Sequence, residues 1–141
     1  MFDARYTFGT RVEAPLDDVR EGVIAALRTE GFGVLTEIDV AATLRAKLGV
    51  ERAPYLILGA CTPPFADRAI ALDPAIGALL PCNVVLRGDG DAVVVEAMDP
   101  KAVLALVDET GVDEIANEIR ARLVRVLAVV EQQFAAMEPP L

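Results

Sequence analysis

A chain of 141 residues carrying 13 basic and 22 acidic side chains, with a net charge of −9 and a 54% hydrophobic share, has the length of one domain and buries roughly 70% of its unfolded surface around one core. The acidic balance and the absence of Trp argue against nucleic acid as a partner, which needs clustered Lys and Arg and stacking rings. The absence of His removes Ser/His/Asp and Cys/His nucleophile systems, the HExxH zinc site and every imidazole-ligated metal.

In chain order, Tyr6 to Val12 alternates Tyr6, Phe8 and Val12 against Thr7, Gly9 and Arg11, the period of a strand with one buried face. After Pro15, Leu16, Val19, Val23 and Leu27 recur at helical spacing, with Asp17 and Asp18 in the first turn and Gly31 past the end. Phe32 to Ile38 predicts a second strand. Asp39 caps a short helix, Val40 to Leu48, with a stripe of Ala41, Leu44 and Leu48 and a stop at Gly49. Tyr55 to Ala60 is a short apolar run between prolines, a buried third strand ending at Cys61. Thr62 before Pro63 predicts a helix to about Leu72, and Asp73 before Pro74 adds one more turn before Gly77 and Pro81.

Asn83 to Arg87 and Ala92 to Ala97 are β-branched strands four and five, and "GDGD" between them is a hairpin turn. Asp99-Pro100 opens a short helix to about Val107. From Asp113 onward, Ile115, Ile119, Leu123, Val126, Val130 and Phe134 form one face of a helix about 20 residues long. Its polar face carries Glu118, Arg122, Arg125 and Glu131. The expected domain is residues 1–136, followed by a proline-containing tail at 137–141. The element order predicts an α+β two-layer sandwich: a mostly antiparallel five-stranded sheet packed against a long C-terminal helix and a second helix.

No apolar run approaches the roughly 18 residues of a membrane span, and Met1 to Val12 lacks the basic and apolar regions of a signal peptide. The expected location is the cytoplasm, with no membrane partner. So apolar a surface is most economically covered by a second copy, which makes a homodimer the default.

The chain has two cysteines, Cys61 in "LILGACTPPF" and Cys82 in "ALLPCNVVL", each where a predicted strand meets a proline-marked turn. If the excursion between them returns, the thiols become neighbours. Four readings of Cys61, Thr62, Cys82 and Asn83 stay open. The cysteines can be small buried hydrophobes. They can form a redox pair, with Cys61 activated by free amides and the positive end of the helix starting at Pro63. They can be thiolate metal ligands completed by Asp67, Asp99 or Met98. Or they can line a pocket for a small apolar or thiol-reactive ligand between sheet and long helix. Glu37 and Asp39 share a strand face, but Asp39 is more economical as a helix cap, as are Asp73 and Asp99.

The stretches "GAC.PP.A..A" at Gly59 to Ala69 and "LLPCNVV" at Leu79 to Val85, with "EAMDP" at Glu96 to Pro100, resemble the bacterial and archaeal family called domain of unknown function 302. The resemblance covers nearly the whole chain. It implies a TATA-binding-protein-like fold with a curved antiparallel sheet against a long C-terminal helix, and often a dimer; it assigns no cofactor and no reaction. Linkage of some members to thioredoxin-like modules implies thiol chemistry only by association. Where the family often has Asn after the first cysteine, this chain has Thr62, a hydrogen-bonding group of shorter reach.

Overall fold

Alternating burial builds the molecule. In the computed structural model, which describes residues 1–135, six strands form one antiparallel sheet: β1 (Phe2–Asp3), β2 (Thr7–Val12), β3 (Gly33–Asp39), β4 (Tyr55–Cys61), β5 (Cys82–Asp89) and β6 (Ala92–Met98), in the order β1-β2-β6-β5-β4-β3. The five expected strands are present. The sixth, β1, is two residues long and pairs Phe2 with Gly9 and Asp3 with Phe8 at the sheet edge. A segment that short carries no detectable period, which is why the sequence conceals it.

On one face of the sheet Phe8, Val12, Leu56, Leu58, Ala60, Cys82, Val84, Leu86, Val93, Val95 and Ala97 enter the core. Two helices cover that face, α1 (Leu16–Thr29) and α5 (Val112–Ala135). The α5 stripe lies where its spacing places it: Ile115, Ile119, Leu123, Val126, Val130 and Phe134 are all buried, joined by Val112, Ala116 and Leu127. The polar face makes ion pairs, Arg122 with Glu118 one turn back and Arg125 with Glu30 at 2.8 Å. The tail expected at 137–141 lies outside the described residues.

The remaining helices, α2 (Val40–Leu48), α3 (Pro63–Leu72) and α4 (Pro100–Val103), occupy connections, and 3-10 turns at Pro74–Leu79 and Leu104–Leu106 extend the last two. Each expected aspartate cap on these segments is in place. Asp39 accepts from the amide of Ala42, Asp73 from that of Ala75 and Asp99 from that of Lys101. The α2 stripe departs from expectation: Ala41 is buried, but Leu48 is 68% exposed. Leu44 is not buried either. A nine-residue helix beside an edge strand has only its first turn against the sheet. Tyr6 also departs from the alternation; it precedes β2 and is exposed.

The β5–β6 hairpin closes through two residues, since Asp89 pairs with Ala92. Gly90 takes φ 62° at the first turn position while Asp91 keeps a negative φ, the pattern of a type II′ turn. A second glycine is required by space. A β-carbon on Gly9 would stand 2.4 Å from the Val95 carbonyl oxygen and 2.8 Å from the Phe2 ring. That oxygen belongs to the neighbouring strand and cannot move alone. Gly9→Ala is therefore expected to cost about 1–3 kcal/mol by forcing β2 and β6 apart, measured as a drop in the urea midpoint; an unchanged midpoint would refute this tight approach.

Candidate functional site

Antiparallel return of the chain brings the cysteines together. In the β4–β5 ladder Ala60 pairs directly with Cys82, so Cys61 lies one residue beyond the last pair. Residues 62 to 81 form the excursion that leaves and re-enters the sheet at this point, and it ends in a cis peptide between Leu80 and Pro81. Both cysteines line one small cavity at the end of the sheet, walled by Phe65, Ala66 and Ala69 of α3 and by Ile115 and Ile119 of α5. Leu80, Pro81 and Leu104 complete it. Its volume is about 20 Å³, room for a single water-sized occupant. No disulfide joins the two thiols.

The electrostatics correct the activated-thiol expectation. A helix N-terminus stabilises a thiolate through free amide donors, but Pro63 and Pro64 have no N–H. The next two amides, of Phe65 and Ala66, are both bonded to the Thr62 carbonyl at 3.0 Å. With these donors missing or engaged, burial dominates. Desolvation pushes the Cys61 thiol up from its ordinary value. For Cys82, deeper in the core, desolvation and then the proximity of Cys61 push it up to about 12. Both groups are neutral thiols at neutral pH.

Thr62 is only 4% exposed and lines the cavity, yet its hydroxyl makes no capping bond to α3. Among the described residues no buried side-chain polar atom is sealed without a partner. Thr62 is the hydroxyl-bearing residue at the cavity border. Asn83 does not join this group. Strand alternation sends it to the opposite face of the sheet, where it borders a separate depression. Of the four candidate residues, Cys61, Thr62 and Cys82 border this cavity and Asn83 borders the other depression.

The other ionisable candidates are engaged in structure. Glu37 takes a two-pronged bond from Arg20, whose guanidinium holds the carboxyl below the usual range, while Asp39 caps α2. Asp99 caps α4 and meets Arg120. Among the described residues, no three His, Cys, Asp or Glu side chains are placed to hold one metal ion. No helix among them is long and apolar enough to cross a membrane.

Phe65 is the cavity wall that sequence reasoning did not single out. Its ring lies under two guanidinium groups, Arg122 at 5.0 Å and Arg68 at 5.5 Å. The available signal was its place directly after the two prolines, in the first turn of α3 and near Cys61.

A family model described as "Domain of unknown function DUF302" matches residues 8–130. Among solved structures, the chain is similar to an uncharacterised conserved DUF302 protein from Bacillus stearothermophilus, with 26% identity and a TM-score of 0.83 over 90% of this chain and 99% of that one. No curated protein matches the chain.

Proposed function

The chain belongs to the family of domains of unknown function DUF302, and from that premise we propose that it is a small-molecule binding module whose site is the Cys61, Thr62 and Cys82 cavity. The observation that carries this reading is that two cysteines with raised thiol pKa and a threonine border an otherwise apolar cavity. Such a lining selects small uncharged ligands, because an ion there would face desolvation with no compensating charge. The volume of about 20 Å³ means that anything larger than a water needs the 62–81 excursion to yield. Two free thiols suit a reducing compartment, the cytoplasm.

The test is a titration with neutral probes graded in size, from xenon through methanol to butanol, followed by methyl NMR of Leu104, Ile115 and Ile119. Saturable shifts confined to these methyls are expected. Thr62→Val should weaken the alcohols while leaving xenon unchanged. A series in which no probe moves these methyls would sink the binding reading.

A second reading, thiol response, draws on one observation: both cysteines line the same cavity. Excess oxidised glutathione would accept the two electrons, becoming two glutathione thiols as the protein sulfurs join. Loss of two hydrogens from the intact mass, absent in Cys82→Ser, is the expected signature. No mass change after prolonged incubation would dismiss it.

The second copy of the chain, in this proposal, pairs along β3. That edge strand leaves Leu35 67% and Ile38 45% exposed, and an uncovered apolar edge presents free backbone groups to another strand. Leu35 sits at the irregularity between Val34 and Thr36. Leu35→Lys is expected to convert dimer to monomer in sedimentation at micromolar concentration, with the fold retained. A wild-type chain that sediments as monomer would refute the pairing.

A further inference from the structure

The sheet face turned away from α1 and α5 carries a second depression of about 260 Å³, far larger than the cysteine cavity. Its wall is formed by Tyr6, Tyr55, Asn83, Val85, Met98 and Glu96, with Thr7 at its border. The register explains the grouping. Val85 pairs with Glu96 and Thr7 pairs with Met98, so side chains from β2, β5 and β6 converge on one patch of the open face.

Among the described residues, Glu96 is the one charged side chain lining this wall. One of its oxygens accepts from the Thr7 hydroxyl at 2.6 Å and the other from Arg87 at 3.0 Å. Burial opposes ionisation, but these two bonds outweigh it and hold the carboxyl below its usual range. The group is thus a fixed anion whose oxygens already have protein donors. What it offers a ligand is charge more than a vacant hydrogen-bond site. Tyr6 and Tyr55 line the same depression, and aromatic faces attract cations. The chain's net charge of −9 adds a field of the same sign.

From these features we propose that the depression binds a quaternary ammonium group, a cation that has no N–H to donate and needs only negative charge, aromatic faces and apolar contact for its methyls. A primary ammonium would compete with Thr7 and Arg87 for the two Glu96 oxygens and be left with the Asn83 amide oxygen as its other acceptor. Arg87 offsets part of the Glu96 charge, so binding is selective more than tight.

Choline is the probe, with 3,3-dimethylbutan-1-ol as its uncharged counterpart of the same shape. In NMR titrations choline should shift the resonances of Tyr55 and Met98 saturably, and the neutral alcohol should bind about tenfold more weakly or worse. Glu96→Gln and Tyr55→Leu should each weaken choline about tenfold. Tyr55→Leu preserves the Thr7, Glu96 and Arg87 bonds and keeps the test intact if Glu96→Gln perturbs the fold. Equal binding of the two probes, full choline affinity in folded variants, or no saturable shift would overturn the proposal. The cysteine cavity lies elsewhere, so neither site's result depends on the other's.

Discussion

Phe134→Ala is expected to lower the unfolding free energy by about 3–5 kcal/mol and Tm by on the order of 10 °C. Phe134 is among the largest fully enclosed side chains and lies near the end of α5, where that helix packs on α1. Gly22 of α1 makes the approach feasible. A β-carbon there would come within 2.8 Å of two Phe134 ring atoms. The ring is gripped by α1 backbone on one side and core on the other, so its removal leaves a void that two packed helices cannot readily collapse. The same geometry predicts non-additivity. Gly22→Ala should destabilise the native chain but cost much less in a Phe134→Leu background, where the ring is gone. Urea unfolding of the four variants measures both effects, and a Phe134→Ala cost under about 1 kcal/mol would remove this clamp from the account.

Long-period signals and turn chemistry were the ones legible from residues. The α5 stripe repeats over six positions, and the two β-branched runs flank a glycine-rich turn, so helix and hairpin could be placed without tertiary information. The aspartate caps were legible because their chemistry is local, satisfied within two or three residues. Leu48 shows where this stops. Its spacing from Ala41 and Leu44 is helical, but whether that face meets protein or solvent depends on α2 following an edge strand, which no periodicity encodes.

The candidate site was legible in its membership more than its chemistry. Proline-marked strand ends indicated Cys61 and Cys82, and the β4–β5 ladder brings them to one cavity. The expected thiolate activation fails because of the prolines that marked the helix start: they begin α3 while deleting the donors a thiolate would use. Asn83 adjoins Cys82 in sequence, yet strand alternation assigns adjacent residues to opposite faces. Phe65, Leu104, Ile115 and Ile119 reach the cavity from three separate segments, so only the folded chain unites them.

In the folded protein, Cys82 is expected to alkylate with iodoacetamide about a thousandfold more slowly than in urea, because the thiolate is the reacting species and its proton is lost near 12 instead of 9.0. The same displacement makes stability depend on pH. Below pH 9 the thiol is protonated in both states and contributes no slope. Between pH 9 and about 12 the unfolded chain releases the proton while the native chain retains it, so stability falls as pH rises, by on the order of 1.4 kcal/mol per unit for this one group. The raised Cys61 adds in the same direction with a smaller part, since it is more open to solvent. The comparison with Cys82→Ala isolates the thiol. Urea midpoints from pH 7 to 10.5 should converge as the wild type loses its advantage. Parallel curves for the two proteins, or native Cys82 reacting as fast as the unfolded thiol, would show that the cavity wall is open enough for Cys82 to ionise.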